Sequence, residues 1–217
     1  MLIKINSINK TDNKTIEKIA AELTGGKIAI LPTSTIYGLS CIYNSSKAVE
    51  RIYEIKQRKK DLPFIVLISK PEHINLLTEE KNKTADRLIN KYWLSKKPEP
   101  LTLVFKKNKD LNNFITGSKD TVAIRLDCHP LIREVIDICG PIISTSATIS
   151  GTSSSPKNIE EIPVDVRNRV DLIVDCGVNL SGVASTILDI TGNKPVIIRE
   201  GKLKFEEIRK KMKLLLY

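Results

Sequence analysis

The sequence predicts an α/β fold: one domain over residues 1–217, with a twisted mixed parallel and antiparallel sheet and helices on both faces. Short β-branched runs, bounded by Gly, Pro, Asn or Asp, alternate with segments whose apolar residues recur at helical spacing. At 217 residues, 41% of them hydrophobic, the chain is long enough to bury one sizeable core. The predicted strands between residues 171 and 200 follow one another too closely for crossover helices, so antiparallel pairs are expected there.

The N-terminal part begins with a helix and a strand. An amphipathic pattern over residues 16–23 predicts the helix, which Gly25 and Gly26 end. The apolar run KIAIL predicts the strand that follows. The hydroxyl-rich stretch PTSTIYGLS is interpreted as a loop, after which Ser45 or Ser46 caps a second helix.

The remaining elements alternate in the same way. Further strands are predicted for FIVLI, LTLVF, VAIRL, PIIST, DLIVD, STILDI and PVIIRE. Helices are predicted for TADRLINKYW, for PLIREVIDIC with Pro130 in its first turn, and for FEEIRKKMKLLL. The biased segment SGTSSSP, from Ser150 to Pro156, is typical of a mobile loop.

The charge balance favours a polyanionic partner. Lys and Arg number 35 against 25 Asp and Glu, which gives a formal charge of +10. A nucleic acid or a nucleotide phosphate would suit this excess, although many of the lysines occur in pairs typical of a solvated surface. Only 5% of the residues are aromatic, which argues against a protein that stacks single-stranded bases.

Several classes of protein and site are not indicated. No apolar block is long enough for a signal peptide or a membrane span, so a cytoplasmic location is expected. The four cysteines include no CxxC pair and the chain has only two histidines, so neither a zinc site nor a disulfide framework is predicted. The sequence also lacks a Ser-His-Asp order, a Walker lysine loop and a dinucleotide glycine fingerprint.

Polar clusters lie near the ends of several predicted strands, where ligands bind in open α/β sheets. PTSTIYGL follows KIAIL, STSATISG follows PII and Arg199 closes PVII, while Lys56 and Arg58 end the second helix. Hydroxyls, guanidinium groups and an ammonium suit a zwitterionic or phosphorylated ligand. Each cluster also has a structural interpretation, as turn-forming hydroxyls or as cations at a helix C-terminus. Arg125, inside the apolar VAIRL, needs a paired anion.

The order of these segments resembles a known family. PTSTIYGL, KQR, PEPLTLV, VAIRLDCHP, TSATISG, STILDI and IIREG follow one another as in the YrdC-like family of threonylcarbamoyl-AMP synthases, from about Gly26 to Gly201. The resemblance implies a single α/β domain whose sheet surrounds a wide basic cavity. Longer members carry an additional C-terminal domain, and the chain is expected to be of the short, single-domain type.

The resemblance also implies the reaction and its residues. L-Threonine, bicarbonate and ATP would give threonylcarbamoyl-adenylate and pyrophosphate for tRNA modification, with Mg²⁺ bound mainly through the triphosphate and downstream proteins transferring the group to tRNA. The matched positions are Lys56 and Arg58 for catalysis, Thr35, Arg125, Ser146 and Ser185 for threonine, and Lys56, Arg58, Thr121, Thr148 and Arg199 for ATP. No metal site within the protein is expected.

Departures from the family pattern leave other functions open. Thr148 replaces the usual asparagine, Leu67 replaces a frequent histidine, and residues 93–100 differ from the common Trp-Pro-Gly-Pro. One alternative is a non-catalytic module of the same fold that binds tRNA or double-stranded RNA by charge and shape. Another is the carbamoyl-transfer domain of a hydrogenase-maturation protein, although the zinc-binding cysteine pairs of those proteins are absent from this sequence.

Overall fold

The protein is described here from a computed structural model covering residues 1–5, 11–80, 83–152, 154–177 and 179–213. Within these ranges ten strands form one sheet: β1 Leu2–Lys4, β2 Ala29–Pro32, β3 Tyr37–Ile42, β4 Ile65–Ile68, β5 Leu101–Lys106, β6 Thr121–Leu126, β7 Ile142–Ser146, β8 Leu172–Asp175, β9 Thr186–Asp189 and β10 Val196–Arg199. The helices are α1 Asn13–Thr24, α2 Ser46–Lys56, α3 Lys83–Leu88, α4 Asn113–Thr116, α5 Pro130–Cys139, α6 Val164–Arg167 and α7 Phe205–Lys213. A π-helical turn, Ile89–Trp93, continues α3, and a 3₁₀ turn spans Pro71–Leu76.

The sheet is mixed, as predicted. Its order is β1-β8-β2-β3-β7-β4-β6-β5-β9-β10. The pairs β1/β8, β8/β2, β4/β6 and β5/β9 are parallel, and the other five pairs in this order are antiparallel. The antiparallel pairing expected among the late strands is confirmed for β9 and β10, whereas β8 pairs in parallel with β1 and β2.

Helices cover both faces of the sheet. Successive strand residues point to opposite faces, so Leu31 and Leu67 pack with α1 and α5, while Ile30 and Val66 pack with α2 and α3. The α/β class with two helical layers is therefore confirmed. No helix within the described ranges is both long and apolar enough to cross a membrane.

The helix ends follow the predicted signals. Ser45, and not Ser46, caps α2: its Oγ accepts a hydrogen bond from Ala48 N, and Ser46 is the first helical residue. Gly25 ends α1, and Pro130 is the first residue of α5. Gln57 caps the C-terminal end of α2, and its left-handed backbone (φ 48°) turns the chain toward Arg58.

The interpretation of PTSTIYGLS as a loop is wrong in its second half. Only residues 33–36 form the turn, because Tyr37–Ile42 is strand β3 and forms a hairpin with β2. All six residues of β3 are buried, so no alternation of apolar and polar residues marks it in the sequence. β1 was also not predicted. Ser153 of the SGTSSSP segment and the last three residues of the final predicted helix lie outside the described residues.

Candidate active site

A cavity of about 320 Å³ opens on the sheet face that carries α1 and α5. Leu67 belongs both to the apolar cluster under these helices and to the cavity wall. The cavity begins where the helices no longer cover the strands. Its polar lining includes Thr33, Thr35, Arg58, Arg125, Ser144, Thr145, Ser146, Thr152, Ser154, Ser155, Ser185 and Arg199. Six of the predicted site residues therefore meet in one place: Thr35, Arg58, Arg125, Ser146, Ser185 and Arg199.

The turn after β2 presents Thr35 through a chain of hydrogen bonds. Thr33 Oγ1 donates to Ile36 O at 2.7 Å, so its hydroxyl proton is already used. The 3.0 Å contact between the two threonine hydroxyls therefore has Thr35 as the donor. Arg125 Nη1 donates to Thr35 Oγ1 at 3.2 Å. One lone pair of Thr35 Oγ1 remains, which suits an incoming amine or hydroxyl.

Arg125 has the buried anion that its position in the strand requires. Its Nη2 donates to Asp127 Oδ2 at 2.7 Å, and the side chains are 6% and 0% exposed. Asp127 also accepts hydrogen bonds from Ser34 and from His129 N. Asp127 was not among the predicted site residues, although an Asp two residues after an inward Arg is a recognisable pattern. Arg125 lines the cavity, and its Nε is buried and has no hydrogen-bond partner in the described residues.

Two further arginines reach the cavity from loop and strand. Arg58 Nη2 donates to Pro63 O at 3.0 Å, and its guanidinium lies 5.3 Å from the centre of the Phe64 ring. Arg199 Nη2 donates to Ser185 O at 2.9 Å. Burial, and then the positive charge of Arg125, lowers the pKa of Arg199. The lining contains three guanidinium groups and no carboxylate among the described residues, so the cavity favours an anionic ligand.

Lys56 does not reach the cavity surface. Its Nζ donates to Ser146 O at 2.6 Å and to Thr148 O at 2.7 Å, and the residue is 1% exposed. Its own carbonyl accepts from Ser150 N at 2.8 Å. Burial, with a contribution from the charge of Arg58, lowers the pKa of Lys56 to about 7. In this geometry Lys56 holds the segment after β7 in place from beneath.

The two serines predicted to bind threonine lie at opposite sides of the cavity. Ser146 Oγ is 3.0 Å from Thr148 Oγ1. Ser185 Oγ is 2.8 Å from Thr102 Oγ1 and is fully buried. A Cβ atom at Gly201 would approach Ala184 O to 2.2 Å, so only glycine allows the chain after β10 to pack against this segment.

Besides Lys56, two more of the predicted ATP residues lie outside the cavity lining. Thr148 is buried and directs its hydroxyl toward Ser146. Thr121 lies at the other end of β6 from Arg125, in a second, more open depression of about 650 Å³ with Lys106, Lys107 and Lys109. This second depression is larger, but the arginines and hydroxyls that converge are in the first. No group of three or more His, Cys, Asp or Glu side chains in the described part of the chain is placed to hold a metal ion.

Known proteins resemble this chain in sequence and structure. The family model Sua5_yciO_yrdC, described as "Telomere recombination", matches residues 21–201. A threonylcarbamoyl-AMP synthase of Pyrococcus abyssi is 36% identical over 97% of this chain and 61% of its own length. A putative threonylcarbamoyl-AMP synthase of Methanocaldococcus jannaschii is 33% identical over 95% of this chain and 96% of its own length. The structure of P. abyssi Sua5 complexed with L-threonine aligns with a TM-score of 0.89 at 34% identity, over 97% of this chain and 60% of that one.

The relatives differ in how much of their length is matched. The chain spans less than two thirds of the P. abyssi protein and nearly all of the M. jannaschii protein. The matched part contains the whole sheet from β2 to β10 and every cavity residue described above.

Proposed function

Because the chain belongs to the Sua5/YciO/YrdC family, we propose that it is a threonylcarbamoyl-AMP synthase. The enzyme converts L-threonine, bicarbonate and ATP into threonylcarbamoyl-adenylate and pyrophosphate. The product is the activated intermediate for threonylcarbamoyladenosine in tRNA. Since an adenylyl group moves from ATP to a carbamate oxygen, the enzyme is a nucleotidyltransferase.

One observation carries the proposal: the hydroxyl-rich turn with Thr35 and three arginines surround a single cavity. An amino acid and a triphosphate together offer a carboxylate, an amine, a hydroxyl and phosphates, and the lining offers a partner for each. The relative that was solved with L-threonine has the same fold.

The threonine end of the site lies between β2 and β6. The unpartnered Nε of Arg125 donates to the threonine carboxylate, and the free lone pair of Thr35 Oγ1 accepts from its amine or hydroxyl. Ser146 and Ser185 add hydrogen bonds from either side. Leu67, where many family members have a histidine, gives the site an apolar wall in place of a polar contact.

The phosphate end lies beside Arg58 and Arg199. Their guanidinium groups bind the triphosphate and stabilise the charge that develops as the carbamate oxygen attacks the α-phosphorus and pyrophosphate departs. The rate enhancement comes from the position and charge of the two guanidinium groups, since carbonyl oxygens hold both of them before the ligand arrives. We also propose that Lys56 and Thr148 contribute by shaping this end, and that Thr121 contacts a more distant part of the nucleotide.

Magnesium enters with the substrate in this scheme. Mg²⁺ neutralises phosphate charge and is bound mainly by ATP oxygens and water, as is usual for this ion. The arginines of the cavity then hold the remaining phosphate oxygens. Downstream threonylcarbamoyl-transfer proteins pass the group to tRNA, and we place these steps in the cytoplasm, where ATP and tRNA are both available.

Product analysis tests the proposal. The protein is incubated with ATP, Mg²⁺, L-threonine and ¹³C-bicarbonate, and the mixture is analysed by mass spectrometry. We expect threonylcarbamoyl-adenylate that carries one ¹³C atom. Unlabelled product, or no product from protein that is folded, would contradict the proposed reaction.

A further inference from the structure

We infer that Asp127 is a positioning residue for the amino-acid substrate. Its carboxylate holds the Arg125 guanidinium and the turn that carries Thr35 in the arrangement that receives threonine. The inference rests on the proposed function for the identity of the ligand. It concerns a residue that lies beneath the cavity and does not line it.

The carboxylate of Asp127 joins three segments of the chain. Oδ2 accepts from Arg125 Nη2 at 2.7 Å and from Ser34 Oγ at 3.0 Å. Oδ1 accepts from Ser34 N at 3.0 Å and from His129 N at 2.9 Å. The turn after β2, the end of β6 and the start of α5 therefore share one buried anion.

The backbone at Asp127 is itself fixed. Its N–H donates to Ile68 O at 3.0 Å, which extends the pairing of β6 with β4 by one step. The carboxylate thus lies at a defined point below the cavity. A group on such a rigid support can hold a ligand-binding side chain more accurately than a loop can.

Asp127 decides which donors of Arg125 remain free. Of the five N–H donors of Arg125, Nη2 directs one to Asp127 and Nη1 directs one to Thr35, whereas Nε has no partner in the described residues. The neighbouring His129 does not compete for the carboxylate through its ring, because both ring nitrogens lack hydrogen-bond partners there. Burial lowers the pKa of His129, which keeps the imidazole neutral. The charge of Asp127 is therefore balanced by Arg125.

Asp127→Asn separates two functions of this residue: it accepts backbone hydrogen bonds from Ser34 and His129, and it orients Arg125. The amide oxygen still accepts from Ser34 N and His129 N, but the amide nitrogen now faces Arg125 Nη2, a donor against a donor. The side chain keeps its size, while the guanidinium loses the partner that orients it. Small displacements of a binding group are enough to reduce function by about tenfold or more.

Two other substitutions make the test specific. Ser34→Ala removes the hydroxyl contacts to Asp127 Oδ2 and to Cys128, and it leaves the pair with Arg125 intact. Asp175→Asn is the matched control, because Asp175 also lies where a strand ends and accepts from the backbone N–H two residues later, at 2.9 Å from Gly177 N. Asp175 lies at the end of β8 and is not part of the cavity lining.

The experiment measures the binding of L-threonine and of a non-hydrolysable ATP analogue to each protein by calorimetry, with melting temperatures as a check of folding. We expect the threonine Kd to rise about tenfold or more in Asp127→Asn and about threefold in Ser34→Ala. Asp175→Asn should match the wild type, and the Kd for the ATP analogue should change by less than about twofold in every variant.

Several outcomes would overturn the inference. Folded Asp127→Asn that binds threonine as the wild type does removes the positioning role. Equal losses for threonine and for the ATP analogue indicate general loosening instead. If Asp127→Asn does not fold, unchanged threonine binding by Ser34→Ala overturns the inference. Wild-type protein that binds no threonine at all contradicts the proposed function itself, which separates the two failures.

Discussion

Replacing Lys56 by methionine should remove a pH dependence of stability that the buried ammonium creates. Lys56 is 1% exposed, and its pKa falls from the ordinary 10.5 to about 7. Between these two values the unfolded chain binds the proton and the folded chain releases it. The free energy of unfolding therefore rises with pH in this window, by up to about 1.4 kcal/mol per pH unit.

The magnitude follows from these two pKa values. At pH 7 the side chain is about half protonated in the folded state, and at pH 9 it is almost fully neutral. The wild type should gain about 2 kcal/mol relative to Lys56→Met over this interval. The substitution itself has opposing effects, since Thr148 O loses its lysine donor, whereas Ser146 O keeps a hydrogen bond from Thr148 N at 2.8 Å. Methionine also avoids burying a charge.

The assay is urea unfolding of both proteins at pH 7 and pH 9. The difference between the two proteins at each pH cancels the contributions of groups that titrate in both of them. Lys47→Met is the control for replacing a lysine by methionine, because Lys47 is exposed on the same helix. A stability difference between wild type and Lys56→Met that stays constant with pH would refute the reasoning, because the carbonyl hydrogen bonds would then fully offset the burial. If Lys56→Met instead loses as much ATP affinity as an Arg58 variant does, Lys56 contacts a phosphate of ATP.

Three further predictions concern the cavity. Arg58→Ala should reduce pyrophosphate release by about 10²- to 10³-fold with little change in melting temperature, as removal of a charge-stabilising donor does. The control Arg133→Ala, on the exposed side of α5, should keep its activity. If Arg58→Ala keeps activity within a few-fold of the wild type, Arg58 does not bind phosphate. Thr35→Val should weaken threonine binding about tenfold or more, because it loses a hydroxyl that contacts both Arg125 and a charged ligand. Equal threonine affinities of the two proteins in calorimetry would contradict this. Raising the salt concentration should weaken threonine binding far less than any binding to duplex RNA, and tight salt-sensitive RNA binding without threonine binding would favour the RNA-module alternative.

Much of the fold was predictable because local patterns decide it. The apolar period of α1, the Ser45 cap and the β-branched runs of β4 to β7 all agree with the final packing. β3 was not predictable in this way, because a strand buried on both faces carries no alternation, and Gly38 and Ser40 weaken its apolar character. A Cβ at Gly38 would approach Ser144 Oγ to 2.3 Å, so a larger residue there would force the Ser144 side chain to move.

The candidate site was predictable mainly from the order of its motifs. That order correctly indicated the family, and the structure brings Thr35, Arg125 and Arg199 together from segments far apart in the sequence. The direction of the Lys56 side chain could not be read from KQR, because it depends on how the end of α2 meets the segment after β7. Asp127, the partner of Arg125, was likewise not predictable from the sequence. An arginine within a strand indicates that an anion is needed, but not whether the protein or the ligand supplies it.

Pyrophosphate release tests the central claim most directly. The protein is assayed with ATP, L-threonine and bicarbonate together, and again with each of the three left out in turn. We expect pyrophosphate only in the complete mixture, since the carbamate must form before the α-phosphorus can be attacked. Pyrophosphate that appears without threonine or without bicarbonate, or none in the complete mixture, would contradict the account.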